Sequence, residues 1–420
     1  MLQVFTSSWA LFVGMFMLMV GNGLQGTLLG LRGEIEGFST FALSIVMSGY
    51  FLGFLFSSRF TPELIRRVGH VRVFAALGSM ISAVLISYPV LVEPWAWTLG
   101  RVIIGFCFCG VYITAESWLN DASDNQNRGK ALSLYMITQM AGIVFAQWIV
   151  AQGDISGYVL FIIPSILVSL AFAPVLLSVK PMPAFSTTKP LKVRKLVAAS
   201  PLACFAMFML GGVFAAQFGM SAVYGSRVGL TVAEISFFVS AIYVAALVLQ
   251  YPIGWLSDKM DRRVLIIWLA ALGGIGSLAA FLVPGSYALI VISGAIIGGT
   301  SNPLYALVIA YTNDYLEKDD MAAASGGLLF INGLGAIAGP LIVGFMMDGI
   351  GDNGYWLFLS LLMGAIALYG IYRTTRRSRS TRDTEAVPYA PVSAASTPIA
   401  AELAQEFYIE AEDDETTPAA

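Results

Sequence analysis

The sequence predicts an all-α membrane protein of twelve transmembrane helices, in two six-helix halves related by a parallel pseudo-two-fold repeat. Three observations carry this. Only 12% of the 420 residues are charged, about half the roughly 25% usual in a soluble domain, and they cluster between long charge-free stretches. The chain also matches itself at a constant offset of 192 or 193 residues. Lastly, Lys and Arg concentrate on alternate loops.

Taken in order, residues 1–31, 37–58, 73–92, 131–153, 155–179, 196–226, 235–257, 264–313, 321–347 and 353–372 contain no Asp, Glu, Lys or Arg. About 20 apolar residues cross a bilayer as a helix. The run 264–313 is too long for one crossing, so it divides at Pro284-Gly285-Ser286, a strong turn signal. Residues 95–115 add a span with one internal charge, Arg101, which brings the count to twelve. The first span has no cationic leader and exceeds a signal-peptide core in length, so it reads as a retained helix.

Fifteen Lys and Arg lie on one set of loops, against Arg32 and Arg227 on the other. The positive-inside rule then places both termini in the cytoplasm of a multi-pass protein of the inner (plasma) membrane. The expected units are residues 1–179 and 199–372 as helical bundles, 180–198 as a Pro- and Lys-rich cytoplasmic linker, and 373–420 as a disordered tail. Cys107, Cys109 and Cys204 fall inside spans, and there is one His, His70. No metal or other cofactor is expected.

The repeat aligns Gln25 with Gln217, Tyr50 with Tyr243, Tyr112 with Tyr305, Asn120-Asp121 with Asn313-Asp314, and Gly142 with Gly335. Each half crosses the membrane six times, so the halves share an orientation and a substrate site is expected between them. GWLSDKMDRR, residues 254–263, packs five charges between two apolar spans. It resembles the cytoplasmic loop signature of the Major Facilitator Superfamily, in its second-half position. Leu99, Arg101 and Gly105 resemble that superfamily's fourth-helix Arg motif. VYITAESWLND followed by RGKALSLYMITQ resembles a Y-x-x-x-E…R-G…Q pattern found in sugar-porter-like members and in bacterial YcaD-type carriers. The resemblance implies a secondary transporter that works by alternating access, as a monomer, with proton coupling.

Arg101 has two readings. It lies six residues inside Trp95, within roughly 9 Å of the outer interface, so it could snorkel to the surface. The family motif instead implies that it faces the central cavity. Uncharged polar groups on cavity-facing spans complete the expected site: Asn22, Gln25, Tyr112, Tyr135, Gln139, Gln217, Tyr224, Tyr243, Asn302, Tyr305 and Asn332. Such side chains also serve simply as hydrogen bonds between helices. Amides and phenols suit a neutral or zwitterionic small molecule. No acid lies mid-span, and the Gly-Pro element that antiporters carry in helix five is absent from GIVFAQW, which counts against drug efflux. A non-transporting sensor or assembly factor on the same fold is the other alternative. No nucleophile–base pair suggests an enzyme, and nothing points to nucleic acid; the expected partners are the substrate, protons and the lipid bilayer.

For the charged loops, the resemblance implies a cytoplasmic latch. Asp258 is expected near the start of the fifth span, held by the helix dipole and by Arg128 and Lys130, with Glu116 bridging back to Arg128; Arg262 and Arg263 belong to the same gate. The first-half loop carries Arg66 and Arg67 where an acid is usual, and EKDD precedes the eleventh span. The expectation is a reversed contact, Arg66 with Asp319 or Asp320.

Overall fold

The structure, a computed structural model, describes residues 2–122, 128–176, 193–316, 318–376 and Thr397. The charge-free stretches are helices, because in hydrocarbon a backbone must satisfy its own polar groups. The first half contains α1 (Leu2–Ile35), α2 (Thr40–Val68), α3 (His70–Ser87), α4 (Pro94–Ala122), α5 (Arg128–Gln152) and α6 (Val159–Leu176). After the short α7 (Val193–Ala199), the second half begins with α8 (Pro201–Ala215). A π-helical turn, Ala216–Met220, joins α8 to α9 (Ser221–Arg227) as one span. Then follow α10 (Val232–Ser257), α11 (Arg262–Leu282), α12 (Tyr287–Asn313), α13 (Lys318–Ile350) and α14 (Gly354–Arg376). Among the described residues, eleven helices are long and apolar enough to cross a bilayer, and Val159–Pro174 in α6 is a shorter apolar helix. The break in the long run falls between Leu282 and Tyr287, where Gly285 has φ +88°.

The linker region holds more order than its Pro content suggests: VRKLVAA forms α7. Arg, Lys, Leu and Ala are good helix formers, and buried Leu196 anchors the segment. At the other end α14 continues past residue 372 to Arg376, where basic residues suit a helix C-terminus. The rest of the tail lies outside the described residues, apart from Thr397.

The two halves are built alike. α1 packs on α5 and α6, and α2 on α4; correspondingly α8 packs on α13 and α14, and α10 on α12. Small residues set the closest approaches. A Cβ at Gly105 would collide with the Tyr50 carbonyl, and one at Gly298, 193 positions later, with the Ile242 carbonyl. Only glycine permits backbones to come this close. Helix starts repeat as well. Ser39 accepts from the Ala42 N–H, and Thr231, 192 positions on, forms a capping box with Glu234. The halves meet along α2–α13 and α5–α10. At the first, Ser48 Oγ donates to the Ile337 carbonyl at 2.5 Å; α1 also meets α9, where Gly30 lies against Ala222 and Val223.

Candidate substrate cavity

Between the halves lies a cavity of about 890 Å³, counting the space open to solvent. α1 contributes Asn22; α2 contributes Tyr50, Phe51, Phe54 and Ser58; α5 contributes Gln139 and Ile143. Across from them stand Phe214 on α8, Phe218 on the π turn, Tyr243 on α10, and Leu329, Phe330 and Asn332 on α13. The lining contains no Asp, Glu, Lys or Arg among the described residues. An aromatic wall with a few convergent polar groups is the usual make-up of a small-molecule site.

Local sequence explains the aromatic wall. Phe51, Phe54 and Ser58 follow the i, i+3, i+7 rhythm that puts residues on one helix face. Phe214 and Phe218 stand one turn apart, their rings stacked at 6.1 Å. The π turn inserts one extra residue into the helical register, a feature common at functional sites. Sequence reasoning did not select these phenylalanines. Their spacing was the available signal, but in a chain that is 12% aromatic it stands out poorly.

The predicted polar residues divide into groups. Asn22 Nδ2 donates to the hydroxyls of Tyr112 (2.9 Å) and Tyr50 (3.2 Å), and its Oδ1 accepts from Gln25 Nε2 (2.9 Å). This network ties α1, α2 and α4 together and presents only Asn22 and Tyr50 to the cavity. Gln217 does not line the cavity; its amide donates to Ser301 Oγ at 3.0 Å within the second half. Asn302 bonds the Gly298 carbonyl one turn back, and Asn332 bonds the Met207 carbonyl of α8. Tyr224 stacks on Tyr355 with centroids 4.9 Å apart, away from the cavity. Two lining residues keep buried polar atoms without a partner: both ends of the Gln139 amide, and the Tyr243 hydroxyl.

Arg101 does not snorkel. It is fully buried, its guanidinium 4.8 Å from the Tyr50 ring centroid and 5.8 Å from that of Phe218. Nη2 approaches Met47 Sδ at 3.6 Å, while Nε and Nη1 have no partner. Tyr50 and Phe218 are cavity walls, so the cation sits one layer behind them and not in the cavity itself. At the N-terminal end of α4, Trp97 Nε1 donates to the Tyr88 carbonyl just past α3.

Toward the basic face, Glu116 is fully buried. It accepts a hydrogen bond from Tyr135 at 3.2 Å and another from the Thr397 hydroxyl. Tyr305, from the opposite half, is also buried and lies within electrostatic range of this carboxylate. Neither Tyr135 nor Tyr305 reaches the cavity lining.

Several contacts among the described residues order the charged loops. Asp261 caps α11 by accepting from the Arg263 N–H. Arg262 contacts Ser257 (3.3 Å), the Ala310 carbonyl (3.3 Å) and Asp314, and Asp258 lies 3.8 Å away. Arg263 donates to the Tyr315 hydroxyl at 2.8 Å. Arg66 and Arg67 both pair with Glu63, at 2.6 Å. An acid one turn back on the same exposed helix end is within reach in any conformation, and in this one Arg66 takes it in place of Asp320. The side chains of Arg128 and Asp319 lie outside the described residues.

Known proteins place this geometry. Among solved structures, a variant of the nucleoside transporter NupG superimposes with a TM-score of 0.74 at 15% identity, covering 88% of this chain and 100% of that one. A variant of the E. coli fucose:proton symporter FucP superimposes with a TM-score of 0.56 at 14% identity, covering 88% and 99%. In sequence, the chain is 25% identical over 362 residues to the uncharacterized MFS-type transporter YcaD of Salmonella arizonae, covering 83% of this chain and 91% of that protein. The YcaD of Salmonella newport is 24% identical over the same length. Residues 11–232 and 202–407 each match the Major Facilitator Superfamily. The chain is therefore a multi-pass membrane transporter of the Major Facilitator Superfamily.

Proposed function

We propose that this transporter is a secondary active carrier of a small, polar, uncharged or zwitterionic organic solute. It works by alternating access in the inner membrane, with both termini in the cytoplasm. One observation carries the reading. Gln139 from the first half and Tyr243 from the second face one cavity, both buried and both lacking hydrogen-bond partners. Buried polar groups are ordinarily satisfied, so groups left open on opposing, separately moving halves suit a ligand that bridges them. The electrostatics favour the same class over lipophilic cations. The lining has no acid, and the Arg101 charge stands directly behind two of its walls.

For coupling, Glu116 is a buried carboxylate with Tyr135 of its own half on one side and Tyr305 of the other half within electrostatic range. Proton coupling through it extends the reading, and FucP, a proton symporter by its name, shares the fold. Counterflow in liposomes tests the proposal. Purified protein should exchange at least one class of radiolabelled polar solute and should not exchange lipophilic cations. Saturable exchange of lipophilic cations alone would reverse the assignment to drug efflux.

A further inference from the structure

We infer that the cavity takes a planar, uncharged solute that presents a hydrogen-bond donor and acceptor side by side, as an amide, a lactam or a nucleobase edge does. This rests on the carrier reading above and narrows its substrate class. Most polar side chains at the cavity are committed to partners within the protein. Asn22 commits its nitrogen to Tyr50 and Tyr112 and its oxygen to Gln25. Asn332 commits its nitrogen to the Met207 carbonyl, and Ser58 donates to the Leu55 carbonyl. Tyr135, the phenol one turn before Gln139, donates to Glu116 and lies beside the Gln139 amide, without a hydrogen bond of normal geometry to it. The buried, unpartnered polar atoms at the cavity are therefore the two ends of the Gln139 amide and the Tyr243 hydroxyl.

An amide NH2 carries two hydrogens, so even with Tyr135 beside it Gln139 can offer a coplanar donor and acceptor on one rigid group. A solute with the complementary pair completes both bonds in a single plane, and one further polar atom would serve Tyr243. A hexose fits poorly. Its five hydroxyls would enter a space walled by Phe51, Phe54, Phe214 and Phe218, with few uncommitted protein atoms to meet them. Each hydroxyl stripped of water without a partner lowers affinity by roughly tenfold or more. The same phenyl faces suit a flat ring, which stacks on aromatic surfaces. Cations are disfavoured, because the lining has no acid and Arg101 behind it repels them, and no Lys or Arg in the lining itself would pair directly with an anion.

The test uses the purified full chain with uracil and nicotinamide as planar probes and glucose as the comparison. Thermal shift and equilibrium binding would be measured for the native protein, Gln139→Met and Tyr243→Phe. At least one planar probe should bind saturably and more tightly than glucose. Its affinity should fall about tenfold or more in Gln139→Met and less in Tyr243→Phe. Without ligand, Gln139→Met should melt no lower than the native protein, because no hydrogen bond is lost. Tighter binding of glucose than of both planar probes, planar binding unaffected by Gln139→Met, or no planar binding to folded protein would each overturn the inference. Counterflow separates this from the carrier reading. Exchange of a sugar but of neither planar probe overturns the planar class and keeps the carrier. Binding of a planar probe with no exchange of any solute overturns the carrier and keeps the site.

Discussion

Replacing Arg101 with Met puts two opposing energies in direct competition. The guanidinium is fully buried on α4, with Nε and Nη1 unpartnered, so the substitution breaks no conventional hydrogen bond to oxygen. What it removes is the pair of contacts with the Tyr50 and Phe218 rings, at 4.8 and 5.8 Å, and the approach to Met47 Sδ. Desolvated cation–π contacts contribute about 1–2 kcal/mol each, so the loss is roughly 2–4 kcal/mol. Against it stands the cost of holding an Arg within the membrane, about 2.5–3.5 kcal/mol on insertion scales, which Met relieves while filling similar space. The two nearly cancel, and net stability should change by no more than about 1 kcal/mol, a melting shift of about 2 °C or less for a chain of this size. Transport should nonetheless fall at least about tenfold, because the charge sets the potential at two cavity walls. Thermal melting in detergent and counterflow in liposomes, on matched preparations, give both quantities. Arg101→Met protein that melts much lower but transports normally would refute the reasoning and make Arg101 a packing residue.

Two further predictions test the fold and the gate. Gly105→Val and Gly298→Val should each lower the melting temperature, by an overpacking cost of about 1–3 kcal/mol, because each collides with a carbonyl of the facing helix. Gly364→Ala, where a Cβ meets nothing within 4 Å, should not destabilise; equal effects at all three sites would show that close helix approach is not what these glycines provide. At the charged loops, Arg66→Asp should slow transport by disfavouring the cytoplasm-closed state. Adding Asp319→Arg and Asp320→Arg should restore part of it, by about 0.5–1 kcal/mol per exposed pair. A triple variant no faster than Arg66→Asp would leave Arg66 with its local Glu63 pairing and no latch across the halves.

The sequence by itself determined the membrane class, the spans and the repeat. A bilayer tolerates few charges and demands internally bonded backbone, so charge-free runs become helices almost regardless of their neighbours. The same logic placed the turn at Pro284-Gly285-Ser286 and made Arg101 conspicuous as a lone charge in a span. Tertiary structure alone decided what each polar residue does. Gln25, Gln217 and Gln139 look equivalent in sequence, yet the first joins the Asn22 network, the second bonds Ser301, and the third stands at the cavity wall, buried and without a hydrogen bond. Arg101 could have reached the surface, but the helices around it close over the guanidinium and stack it on two rings. The π turn that carries Phe218 has no signature in AQFGM. Composition and spacing say which groups need partners. Whether a partner stands within hydrogen-bonding distance depends on how facing helices meet, and glycines such as Gly105 and Gly298 set those approaches.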